Sequence, residues 1–178
     1  LGVDAIGRSF ITWQDSRNSY VDIYAQLLAG GGDKLWATDI RVNAVSGATF
    51  KSQPTLTIDE TGSAFVVWVD NSSGAADIYA QKIDATGNRL WADDVRVNSD
   101  TGTARQQCPA VATDGNGNAV IAWWDTRNGY NFYAQKIAGD GGKLWIADAQ
   151  INLENGVGHE SPCPGIAIDN NANALVGW

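Results

Sequence analysis

The sequence predicts an all-β fold, a β-propeller-like array of four-stranded antiparallel blades with about 55 residues per repeat, and three observations predict it. Trp13, Trp68, Trp123 and Trp178 recur at a constant spacing of 55 residues. A period of tens of residues marks an array whose units bury apolar faces against one another. Within each period, short apolar or alternating runs are separated by turns rich in Gly, Asn and Asp, as strands are. No segment repeats its apolar residues at helical spacing.

The second unit is the clearest. Pro54 to Asp59 alternates, with Leu56 and Ile58 on one face and Thr55 and Thr57 on the other; this is a half-buried strand. Glu60 to Ser63 makes a turn. Ala64 to Val69 is almost wholly apolar and ends in Asp70, which suits a strand covered on both faces. Asn71 to Ala76 is a polar loop, Asp77 to Ile83 a third strand rich in β-forming residues, and Asp84 to Asn88 a Gly-containing turn. Arg89 to Asn98 is the expected fourth strand. A polar link, Ser99 to Cys108, then leads to the next unit. Pro54, Pro109 and Pro164 keep the same spacing and are expected at strand starts, where a missing N–H is tolerated. The units are 1–43, 44–98 and 99–152, with 153–178 supplying the first two strands of a fourth. Such a piece belongs to a longer repeat protein or an assembly. Its end units would be covered by neighbouring blades or by copies of itself, so the free chain is expected to self-associate.

Further repeated positions fit packing between units. Trp36, Trp91 and Trp145 follow a Leu, and Tyr24, Tyr79 and Tyr133 open Tyr-Ala-Gln triplets. The third copy arrives one residue early because the loop at Asn128 to Asn131 is short. Seven of the eight tryptophans belong to the repeat; Trp124 does not. It lies on the opposite strand face from Trp123, where it either fills space between units or stacks on a sugar ring.

A formal charge of −8 opposes nucleic-acid binding, which needs clustered Lys and Arg. No apolar run reaches the ~20 residues of a membrane helix. The loops between second and third strands share a rim with the links, and candidate binding residues gather there: Asp15, Arg17 and Tyr20, then Asp70, then Trp124, Asp125, Arg127 and Tyr130. The plainer reading is that each Asp caps its turn and pairs with the Arg two residues on. Calcium is the cation that Asp15 with Asp22, or Asp70 with Asp77, would suit, although Asn131 breaks the pattern in the third unit and no other cofactor is indicated. Cys108 and Cys163 stand at equivalent positions near the expected axis. They are either a disulfide or two partly buried thiols, and a Cα separation beyond ~7 Å would forbid the bridge. His159 is the one histidine, which excludes a multi-histidine zinc site; with Glu154 and Glu160 beside it, it is a candidate acid-base group or a solvated residue.

Laid out this way, the chain resembles bacterial repeat proteins whose units read W-x-D-x-R-x-G…DIYAQ…G…LW. Trp13, Asp15, Arg17, Asp22, Ile23, Tyr24, Ala25 and Gln26 carry the likeness in the first unit, and Trp123, Asp125, Arg127, Gly129, Tyr133, Ala134 and Gln135 in the third. The second departs, with Ser72 in place of Arg. The resemblance implies β-propeller blades of secreted or surface-attached bacterial proteins, an extracellular setting, and no established catalysis. A more distant similarity is to the Asp-box turn of sialidase-like propellers, kept here by Asp140, Gly142 and Trp145; that turn is structural.

Since no catalytic set assembles from the sequence, the expectation is that the chain is not an enzyme. It is read as an extracellular module for surface structure, adhesion, or binding of a cell-surface glycan or protein. The alternative is a carbohydrate-active propeller, a glycoside hydrolase or sialidase-like enzyme, using rim acids such as Asp125 and Glu160.

Overall fold

The computed structural model describes residues 1–47, 49–153 and 163–178. His159, Glu154 and Glu160 therefore lie outside the described residues. Every regular element among those described is a β-strand. β1 (Gly2–Val3), β2 (Ser9–Asp15), β3 (Asp22–Leu28) and β4 (Ile40–Arg41) form the first sheet; β5 (Lys51–Ile58), β6 (Ala64–Asp70), β7 (Asp77–Ile83) and β8 (Val95–Arg96) the second. β9 (Gln106–Thr113), β10 (Ala119–Asp125), β11 (Asn131–Ile137) and β12 (Ala149–Gln150) form the third, while β13 (Gly165–Ile168) and β14 (Ala174–Gly177) make a two-stranded sheet. All pairings are antiparallel between sequence neighbours.

The first hairpin of each unit is closed by an aspartate whose side chain accepts backbone N–H groups two and four residues on: Asp4, Asp59, Asp114 and Asp169. The turn requires a positive φ one residue before its end. Gly7, Gly62 and Gly117 supply it, and in the last unit Ala172 is held there at φ 62°.

Two strand readings are corrected. The inner strands begin earlier than their prolines, at Lys51 and Gln106, so Pro54 and Pro109 lie inside them. A bulge accommodates each proline, because the ladder skips from Ser52 to Thr55 and from Gln107 to Ala110, sparing its missing N–H a partner. Gln53 and Cys108 take positive φ just before them.

The fourth strand is two residues long, not ten. Glutamine explains the difference. Gln81 Oε1 accepts the N–H of Lys82 (2.9 Å) and of Trp91 (3.2 Å), while Nε2 donates to the carbonyls of Trp91 and Asp93 and to Asp94. Gln26 makes the matching bonds to Leu27, Trp36 and Asp39, and Gln135 to Lys136, Trp145 and Asp148. A buried amide thus replaces the ladder where the chain departs to turn its tryptophan inward.

The core lies between sheets. Ile23, Ala25 and Leu27 of the first pack against Ala64, Val66 and Trp68 of the second. From the other face of the second, Phe65, Val67 and Ile78 meet Ala119, Ile121 and Trp123 of the third. Val120, Ala122 and Ala134 face Ile166, Ile168 and Val176. Polar staples repeat the joint: Trp36 Nε1 donates to Ala85 O (3.0 Å) and Trp91 Nε1 to Gly139 O (2.9 Å). Along the inner strands, Gln53 Oε1 accepts Cys108 N–H (2.7 Å), and Cys108 is bonded to Cys163 with a Cα separation of 4.9 Å, within the usual disulfide range.

Candidate functional site

The loops between the second and third strands of each unit run beside the links. Asn71 N–H bonds Phe50 O, and Thr126 N–H bonds Arg105 O. The rim residues singled out above fall on this edge, but they divide into three groups with different chemistry.

The first group is a guanidinium clamp, present in the first and third units. Asp15 and Asp125 each accept their loop's backbone N–H at Arg17 and Arg127 (both 2.8 Å), as turn-capping aspartates do. The other carboxylate oxygen takes the indole N–H of Trp13 (3.1 Å) or Trp123 (2.9 Å) and the Arg guanidinium, at 2.6 Å in both units. Each arginine then reaches a second carboxylate, Arg17 to Asp39 (3.0 Å) and Arg127 to Asp148 (2.9 Å). Its plane lies over a tyrosine, with Arg17 4.3 Å from Tyr24 and Arg127 4.1 Å from Tyr133. Hydrogen bonds from Arg17 hold the Asp15 carboxyl far below the usual carboxylate range. Asp125 is fully buried and committed to these donors. It caps its turn and pairs with the Arg two residues on, the plainer of the two readings of this rim acid.

The paired aspartates proposed to bracket calcium do face each other in register, Asp15 with Asp22 and Asp70 with Asp77. Their carboxylates have separate partners. Asp22 accepts Asn43 Nδ2 (2.8 Å) and Ser46 Oγ (2.6 Å); Asp77 accepts Asn98 Nδ2 (2.7 Å) and Arg96 (2.6 Å), and is also bonded by Ser73. Asn43 and Asn98 in turn accept the N–H of Ile23 and Ile78. Among the described residues no three of His, Cys, Asp and Glu are grouped to hold a metal ion.

The second group is aromatic. Trp124 stacks on Tyr130 with ring centroids 5.4 Å apart and planes at 17°, and its cross-strand partner Phe132 stacks on Trp178 at 4.9 Å and 28°. Tyr130 is 43% exposed, so the stack of Trp124 and Tyr130 forms a ledge with one side open to solvent at the side of the third sheet that faces the fourth unit. Trp124 Nε1 is buried without a hydrogen-bond partner. Tyr20, at the corresponding loop of the first unit, is likewise exposed.

The third group is a cavity of about 310 Å³ beside the second unit's loop, lined by residues including Lys51, Asp70, Ser72, Tyr79, Asp93 and Asp94. Asp70 was expected on this rim. Lys51 and Asp94 were missed, though a signal for Asp94 existed: an Asp stands three residues after Trp36, Trp91 and Trp145 alike.

No protein-family model and no curated protein matches the chain. Solved structures do. An endo-arabinase from Bacteroides thetaiotaomicron VPI-5482 superposes with a TM-score of 0.56 at 13% identity, over 95% of this chain and 65% of that one. A thermostable family-43 glycoside hydrolase gives 0.53 at 11% identity, over 95% and 61%. The chain thus spans less than two thirds of either enzyme's length. The shared fold is propeller-like and all-β. It also corrects the expectation that the chain is not an enzyme, because the proteins sharing this arrangement of sheets are enzymes.

Proposed function

We propose that the chain is part of a carbohydrate-active propeller of the glycoside-hydrolase type, and that the ledge of Trp124 and Tyr130 is where it holds a glycan. The observation that carries this reading is the stack of Trp124 on the solvent-open Tyr130, on a fold shared with an endo-arabinase and a family-43 glycoside hydrolase. Aromatic faces offer an apolar surface with a polar edge. A secreted setting is in keeping with the Cys108–Cys163 bridge.

The test is tryptophan fluorescence titrated with linear arabino-oligosaccharides and a panel of other plant and bacterial glycans, with reducing-end release followed in parallel. At least one glycan should bind saturably, and Trp124→Ala should weaken it about tenfold, the worth of one aromatic stack. If no glycan binds, or Trp124→Ala binds as tightly as the parent, the ledge is not a sugar platform.

A further inference from the structure

The second unit lacks the clamping arginine. Where the first and third carry Arg17 and Arg127, the second carries Ser72, and the groups that clamp a guanidinium remain around the gap. Asp70 caps its turn as its counterparts do, accepting Ser72 N–H at 2.7 Å. Tyr79 stacks on Trp68 (6.5 Å, 22°) as Tyr24 stacks on Trp13 (6.5 Å, 25°). Asp94 stands where Asp39 and Asp148 stand. What occupies the arginine's place is the 310 Å³ cavity.

A second observation points the same way. Trp68 is fully buried, yet its Nε1 has no hydrogen-bond partner, whereas Trp13 and Trp123 donate to the carboxylate that holds the arginine. Trp68 lies on the same strand face as Asp70 and stacks on Tyr79, which lines the cavity. Asp70 instead pairs with Lys51 Nζ at 3.5 Å, a longer contact than either arginine makes. Three carboxylates, Asp70, Asp93 and Asp94, line the cavity with one ammonium, Lys51. Burial holds the Asp94 carboxyl above the usual range, against hydrogen bonds from Ala44 N–H and Gln81 and the charge of Arg89.

We infer that this cavity is a binding site for an alkyl guanidinium supplied from outside the chain, gripped by Asp70 and Asp94 and stacked on Tyr79 as Arg17 and Arg127 are in the neighbouring units. The planar fork of a guanidinium bridges two carboxylates while stacking flat on an aromatic face, whereas an ammonium is a compact point charge without that bidentate, planar fit. The inference stands apart from the glycan reading and uses none of its residues.

Titration calorimetry with agmatine and with Nα-acetyl-L-arginine amide tests it, alongside the indole N–H resonance of Trp68. Agmatine should bind saturably and shift that resonance. Binding of the arginine amide as well would open the site to an arginine side chain of another protein, and binding of agmatine alone would restrict it to free small molecules. Ser72→Arg, which restores the residue of the sister units, should weaken agmatine about tenfold or more by occupying the site from within, and should raise the thermal midpoint. The inference is overturned if agmatine fails to bind at tens of millimolar or if Nα-acetyl-L-lysine amide binds as tightly. It is equally overturned if Ser72→Arg leaves agmatine binding unchanged. Ser72→Ala, which fills nothing, should bind as the parent does; its loss of binding would point to the loop and not the gap.

Discussion

At the scale of single residues, the repeated Tyr-Ala-Gln triplet is explained by its last member. Gln81 is fully buried, and its oxygen is shared by the N–H groups of Lys82 and Trp91. Replacing it with leucine keeps the volume and removes the acceptor. Gln81→Leu should therefore cost about 1–3 kcal/mol for each stranded donor, seen as a lower urea midpoint. Replacing the exposed Glu60 with leucine should leave that midpoint nearly unchanged. The hairpin aspartates make a second residue-scale prediction. For Asp59 and Asp114, burial alone would raise the carboxyl, but bonds from Lys82 and Thr61, and from Asn118 and Lys136, outweigh it and leave both below the usual value. A folded pKa below the unfolded one adds stability that is complete above the unfolded value, about 4. That stability drains away as pH falls further toward the folded values. Urea midpoints should be flat between about pH 5 and 7 and fall steeply below about pH 4. Asp59→Asn should flatten that fall, whereas an unaltered acid limb would show that the pair of Asp59 and Lys82 contributes nothing.

At the scale of elements, the second and third strands were readable because they are the most apolar runs, and in both β6 and β10 their ends fall where composition changes, at Ala64 and Asp70 and at Ala119 and Asp125. The fourth strand was misread because Arg89 to Asn98 has strand-like residues whose backbone is satisfied by a side chain ten residues away, Gln81. Propensity does not register that bond. The inner strands were read short for a related reason, since a proline inside a strand signals an end unless a bulge removes it from the ladder. The site was legible in outline. Repetition marked Asp15, Arg17, Asp125 and Arg127, and even the exception at Ser72, but the partner carboxylates come from the far side of each sheet. Their meeting with the arginines depends on the departure of the chain at Trp36, Trp91 and Trp145, which periodicity alone does not foretell.

At the scale of the whole molecule, stability is a sum over joints between adjacent units, and the joints are unequal. The second sheet is flanked on both faces, and every residue of β6 is buried. Among the described residues the two-stranded sheet of β13 and β14 packs on the third sheet alone, and Leu175 stands 77% exposed. Its covalent tie is Cys108–Cys163, which closes a loop of 55 residues. Closing such a loop stabilises by about 2–4 kcal/mol through the unfolded chain. If folding is local in this sense, reduction should act unevenly. Hydrogen exchange of the oxidised chain should show the strongest protection in β6 and β10 and weaker protection in β13 and β14. On reduction, or in Cys108→Ser with Cys163→Ser, amides of β13 and β14 should exchange at least about tenfold faster, the effect of some 1.4 kcal/mol. Those of β6, two joints away, should change little. Equal acceleration in β6 would mean that the sheets unfold as one cooperative body, with the disulfide holding all of them and not the last joint alone.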